Sequence, residues 1–161
     1  MLLYFLRHGQ AEEGGTDAER QLTAKGKDVL RAAIPLWRSL KVRPEAVISS
    51  PLPRAAQTAA ICVEGLGLGL QPVLDERLEP GADWDDLAEA MAAHADARRV
   101  MFVGHEPDLS SAAVLLTGAS SLRLRKGGMA AVEFPGPPVP GTGELVWLLD
   151  PDLYRAAQRP A

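Results

Sequence analysis

Met1–Gln10, MLLYFLRHGQ, is the stretch that decides the fold. Leu2 to Leu6 is an apolar run of strand length, too short to cross a membrane, and it stops abruptly at Arg7-His8-Gly9. A strand that is apolar throughout belongs in the middle of a parallel sheet covered on both faces. In such sheets ligands gather beyond the carboxyl ends of the strands, which is where Arg7 and His8 are delivered. Arg7 is a permanent cation whose fork of donors suits phosphate or carboxylate. His8 is nucleophilic when neutral. Gly9 lets backbone pass close to a bound group.

The pattern occurs twice more. Ala46-Val47-Ile48 runs into Ser49-Ser50-Pro51-Leu52-Pro53-Arg54, and Val100-Met101-Phe102-Val103 runs into Gly104-His105-Glu106-Pro107. Arg54 falls in the first turn of the helix that follows, where a cation opposes the helix dipole. A bound phosphate would supply the missing negative charge, since helix N-termini and arginine both favour it.

These segments resemble the histidine phosphatase superfamily. The resemblance rests on Leu6-Arg7-His8-Gly9, then Ser49-Ser50-x-x-x-Arg54-Ala55-x-Gln57-Thr58, then Val103-Gly104-His105, in the family's order and at its usual spacing. The short length and Gln21-Leu22-Thr23-x-x-Gly26 look most like the compact bacterial SixA-type phosphatases, which act on phosphohistidine in proteins. The resemblance runs from residue 2 to about residue 118. Many relatives carry an Asn six residues after the nucleophilic histidine, whereas Gly14 stands here, so no substrate contact is carried over from that loop.

Composition sets outer bounds. A chain of 161 residues is read as one domain, 1–161, able to bury roughly 70% of its unfolded surface. Its net charge of −4 argues against a nucleic-acid binder with a broad basic face. Cys62 is the single cysteine, which excludes an intrachain disulfide and a cysteine-rich zinc site, and its apolar context marks a buried core thiol. No apolar run is long enough to span a membrane and no basic leader precedes one, so a cytoplasmic location is expected.

Along the chain, Gln10–Gln21 reads as a polar loop over the site, its acids Glu12, Glu13, Asp17 and Glu19 solvated. Thr23 is the expected N-cap of a helix to about Leu40, kinked at Pro35 and buried along Val29, Ala33, Leu36, Trp37 and Leu40. A second helix is expected from Ser50 as N-cap and Pro51 at N1, packing through Leu52, Ala56, Ala59 and Val63 and ending in Gly65–Gly69. Pro72–Leu74 is a minor strand. Asp83 caps a third helix, packed through Trp84, Leu87 and Met91 and carrying an exposed His94. A fourth helix runs from Pro107 to about Gly118. Two β segments, Met129–Phe134 and Glu144–Leu149, follow, joined by a proline-rich hairpin connection. Alternating strands and helices predict a three-layer α/β/α fold with a mostly parallel central sheet and helices on both faces. The family resemblance implies the same architecture, phosphoglycerate mutase-like.

A phosphoryl group carries close to two negative charges, which must be neutralised before a nucleophile approaches in line. Arg7 and Arg54 are the candidates for that clamp, with His105 a further donor and Gly9 a backbone neighbour of the phosphate. His8 attacks phosphorus, becomes a phosphohistidine and is regenerated by water. The resemblance implies these roles for Arg7, His8, Arg54 and His105. For the proton donor, Glu76 stands where mutase-like relatives carry their catalytic carboxylate and is favoured. Glu106 stands where phytase-like relatives carry an Asp. A phosphohistidine substrate needs less acid assistance, because imidazole departs more readily than an alkoxide. Neither a metal nor another cofactor is expected. The partner is a histidine-phosphorylated protein or a small phosphorylated substrate, with no nucleic acid and no membrane. Two alternatives are a small-molecule phosphomonoesterase acting on a sugar or nucleotide phosphate, and a non-catalytic phosphate-binding module.

Overall fold

A computed structural model describes residues 1–156. Six strands form one sheet: β1 (Leu2–Arg7), β2 (Ala46–Ser49), β3 (Val73–Leu74), β4 (Arg99–Gly104), β5 (Met129–Glu133) and β6 (Glu144–Leu149). They lie in the order β3-β2-β4-β1-β5-β6. β1 to β4 are mutually parallel, while β5 and β6 add an antiparallel edge, so the sheet is mostly parallel as expected. The proline-rich segment between β5 and β6 is a hairpin connection.

Because successive strand residues face opposite sides, β1 feeds two cores at once. Tyr4 and Leu6 join one cluster, with Leu30, Trp37, Ala59 and Cys62, under the helices α1 (Ala24–Ser39) and α2 (Pro53–Leu66). Leu3 and Phe5 join the other, with Leu87, Leu109 and Ala113, under α3 (Trp84–Ala92) and α4 (Asp108–Thr117). Full burial of such Leu and Phe side chains contributes about 1.5–3 kcal/mol each. The three layers follow from that division. A short α5 (Asp152–Ala156), which no periodicity in the sequence announced, seats Tyr154 edge-on against Trp37. Trp37 and Cys62 are core residues, and burial pushes the Cys62 thiol up to about 12.

Several local expectations are corrected. α2 begins at Pro53, not Pro51, and its N-cap is Leu52 without a side-chain cap. The Ser50 hydroxyl is diverted: it meets His105 and the Leu52 amide instead. α1, capped by Thr23 and continuous through Pro35, buries Gly26, Leu30, Ala33, Ile34 and Trp37, leaving Val29 and Leu36 half-buried and Leu40 exposed. Its rotation is set at Gly26, where a Cβ would come within 2.3 Å of the Gln10 carbonyl oxygen. α2 buries Ala55, Thr58 and Cys62 beside the expected Ala59 and Val63, with Leu52 and Ala56 only half-buried. It ends at Gly67 in the left-handed region. In α3 the Asp83 cap is present, but Ala90 takes the buried place expected of Met91. His94 lies beyond the helix end and is half-buried. No helix among the described residues is long and apolar enough to cross a membrane.

The contact at Gly26 joins the first turn of α1 to the loop that leaves β1. Gly26→Ala should destabilise the protein by about 1–3 kcal/mol, because a backbone carbonyl cannot yield as a side chain does. Gly136→Ala, where an added Cβ meets nothing within 4 Å, should be close to neutral. Urea denaturation of both variants checks this.

Candidate active site

Strand register builds the site. Arg7 pairs with Gly104 across β1 and β4, so the next residues, His8 and His105, leave the sheet side by side with ring centroids 5.2 Å apart. Ser49 pairs with Val103, which brings Ser50 level with Gly104 and its hydroxyl 2.8 Å from His105 Nε2. The helix after β1 covers one face of the sheet and the helix after β4 covers the other. The crevice between them is the switch point where open α/β sheets bind ligands.

Arg7, His8, Arg54 and His105 line one cleft of about 260 Å³ together with Asp17 and Glu106, and Lys126 stands at its rim. The four expected residues are therefore brought together. Glu76 is not: it is exposed on a short 3-10 turn (Glu76–Leu78) after β3, and Glu106 takes its expected place beside the cleft. The Glu106 carboxylate accepts bonds from the amide and hydroxyl of Ser110 (3.1 and 2.7 Å). Among the described residues no cluster of His, Cys, Asp and Glu is arranged to hold a metal.

His8 Nδ1 lies 2.7 Å from the Gly9 carbonyl oxygen. A carbonyl only accepts, so Nδ1 carries the proton and Nε2 keeps its lone pair. The Gly9 amide donates to Thr58 Oγ1 at 3.1 Å, and Thr58 donates to the Arg54 carbonyl at 2.7 Å. Both backbone groups of Gly9 are thus engaged, the carbonyl by His8 and the amide by Thr58. A Cβ there would also stand 3.0 Å from Leu30 Cδ1.

Electrostatics keep both histidines neutral. Burial is the largest cause, lowering His8 to about 3 against its Gly9 bond, and His105, Arg54 and Arg7 press the same way. His105 is lowered to about 4 by burial and by Arg54, with Asp17 opposing. His8 is 7% exposed, His105 4% and Arg54 3%. The Arg7 guanidinium donates to the Leu124 carbonyl at 2.8 Å, and the Nε atoms of Arg7 and Arg54 are buried without a hydrogen-bond partner. Burial lowers the Arg7 pKa, with Glu106 opposing.

The loop acids are not all idle. Asp17 accepts from Arg54 through both its carbonyl oxygen (2.6 Å) and its carboxylate (2.9 Å), and Arg20 closes on the same carboxylate. Those two arginines hold Asp17 below the usual carboxylate range. Sequence reasoning missed this contact because nothing in local periodicity places a loop carboxylate against a residue in a distant helix turn.

The family described as Histidine phosphatase superfamily (branch 1) matches residues 3–126. An uncharacterized protein of Picosynechococcus sp. is 36% identical over 138 residues, covering 80% of this chain and 82% of that protein. The chain belongs to this superfamily. Among solved structures, the protein histidine phosphatase SixA complexed with tungstate superposes with a TM-score of 0.85 at 25% identity, covering 95% of this chain and 99% of that one. The alpha-ribazole phosphatase of Shigella flexneri shares the fold, with a TM-score of 0.72 at 17% identity over 94% of this chain and 97% of that one.

Two outcomes follow from the charges. In the unfolded chain both histidines protonate near 6.5, whereas the folded state resists this down to about 4 and 3. The unfolded state therefore binds more protons between those limits, and stability should fall with falling pH by about 1.4 kcal/mol per unit per histidine once well below 6.5. Urea midpoints from pH 7 to 5 measure the slope, which His8→Asn should reduce. Secondly, removing the carboxylate that occupies Arg54 in Asp17→Ala should tighten binding of inorganic phosphate about two- to fivefold by calorimetry, the range for an exposed ion pair.

Proposed function

With superfamily membership as the premise, we propose that the chain removes a phosphoryl group from phosphohistidine in a protein, through a covalent intermediate on His8. The observation that carries this reading is the His8–Gly9 hydrogen bond, which leaves Nε2 unprotonated in a cleft lined by Arg7, Arg20 and Arg54. Arg7 and Arg54, which both line the cleft, neutralise the phosphoryl oxygens. Ser50 orients His105 through its contact with Nε2.

In the first step the His8 Nε2–phosphorus bond forms as the bond from phosphorus to the substrate nitrogen breaks. The departing imidazole takes its proton from solvent. Water then attacks the phosphohistidine, releasing phosphate and neutral His8. A phosphate-binding module without catalysis would need the arginines but not a histidine held in its nucleophilic tautomer.

The protein substrate is supported by the likeness to SixA and by a cleft of only about 260 Å³ at the surface. It is supported also by the position of the carboxylates. Glu76, the favoured proton donor, lies outside the cleft lining, which suits a leaving group that needs little acid assistance. The small-ester reading has Glu106 in its favour, since that carboxylate does line the cleft.

Rapid quenching with a phosphohistidine peptide labelled in its phosphoryl group should trap acid-labile, alkali-stable label on His8. His8→Asn should lose about 10³-fold or more in turnover, as removal of a nucleophile does. Glu76→Gln should leave the peptide reaction nearly unchanged. Wild-type preference for a small phosphate ester by several orders of magnitude would overturn the protein substrate, and near-normal turnover by His8→Asn would overturn the mechanism.

A further inference from the structure

Beside the phosphate cleft lies a second, larger hollow of about 490 Å³, and the two share Arg7 and Lys126. Its walls carry five cations, Arg7, Lys25, Arg123, Arg125 and Lys126, against one carboxylate, Asp152. That concentration stands in a chain whose formal net charge is −4. Arg125 is occupied by Asp150 and Asp152 at 3.1 and 2.6 Å. Among the described residues Lys25, Arg123 and Lys126 form no ion pair.

Two independent features mark this charge as uncompensated. Lys25 and Lys27 occupy the first turn of α1, which contains no acid, so cations sit at the positive end of a 16-residue helix. Arg123 adds a further, smaller repulsion on Arg7, behind burial and the opposing pull of Glu106. Like charges gathered in this way cost stability unless a ligand offsets them. Lys25, Arg123, Arg125 and Lys126 are all exposed. They are placed to meet an approaching surface, not to enclose a small molecule.

We propose that this basic hollow is a docking subsite for acidic side chains that flank the phosphohistidine of a protein substrate. The inference rests on the phosphohistidine reading above and extends it: Arg7, common to both hollows, joins the phosphoryl site to the flanking carboxylates. Lys25 and Arg123 are specificity residues, since they line this hollow and not the phosphate cleft.

The test uses two synthetic phosphohistidine peptides that differ only in having Glu or Gln at the flanking positions, with p-nitrophenyl phosphate and a hexose bisphosphate as further substrates. The wild-type chain is expected to favour the acidic peptide by about tenfold in kcat/KM at low salt, as two exposed ion pairs allow, with the advantage shrinking as salt is added. Lys25→Glu/Arg123→Glu should abolish or reverse that preference while turnover of p-nitrophenyl phosphate stays unchanged. Lys25→Ala/Arg123→Ala should move the same way by less. Equal rates on the two peptides, or a preference that survives charge reversal, would overturn the subsite and leave the phosphatase reading intact. A hexose bisphosphate that outcompetes both peptides and loses its advantage in the reversed variant would assign the hollow to a second phosphate and overturn protein docking. Absence of label on His8 with every substrate would overturn the underlying reading instead.

Discussion

Because Arg7 faces Gly104 across the ladder between β1 and β4, the two histidines leave the sheet together and need no further device to meet. A one-residue slip in that ladder would send Leu3 and Phe5 to the wrong core and separate His8 from His105. Backbone bonds reinforce the register at the critical end: the His8 amide donates to the Gly104 carbonyl at 3.0 Å, and the Gly127 amide is shared by the Arg7 and His8 carbonyls. The site is therefore a property of the sheet's middle, its most buried part. Loops add the rim and the Asp17 carboxylate that meets Arg54.

Much of this was legible in the residues. Apolar runs ending in Arg-His-Gly, Ser-Ser and Gly-His located three strand ends, and a parallel sheet places such ends on one edge. Arg54 was legible because it breaks the helix-dipole preference. What escaped has a common cause, namely dependence on contacts between distant segments. The rotation of α1 is set by the close approach of Gly26 to Gln10, and the start of α2 by the diversion of Ser50 to His105. Glu76 looked favourable by its place in the chain, but the turn after β3 leaves it exposed, away from the cleft lining. Asp17 looked like one solvated acid among several until folding set it against Arg54.

The electrostatic design separates two kinds of group. Buried histidines among cations remain neutral, which on the proposed reading suits them to act as nucleophile and donor, while arginines carry the charge that an oxyanion needs. The preorganisation is largely local and made of ordinary bonds. Gly9 and Thr58 hold one imidazole, Ser50 holds the other, and little rearrangement is required as negative charge enters.

Asp17 has a consequence at the other end of the catalytic cycle. Its carboxylate is tethered to the cleft by a loop closed at its base by the Ala11–Leu22 bridge, and a short tether gives an effective concentration in the millimolar range. On the proposed reading, inorganic phosphate left in the cleft after hydrolysis competes with that carboxylate for the same Arg54 donors. The loop thus acts as a built-in eluent: it weakens the grip on every incoming anion a little, and it hastens departure of the last one. On that reading the enzyme would keep turning over while free phosphate accumulates around it.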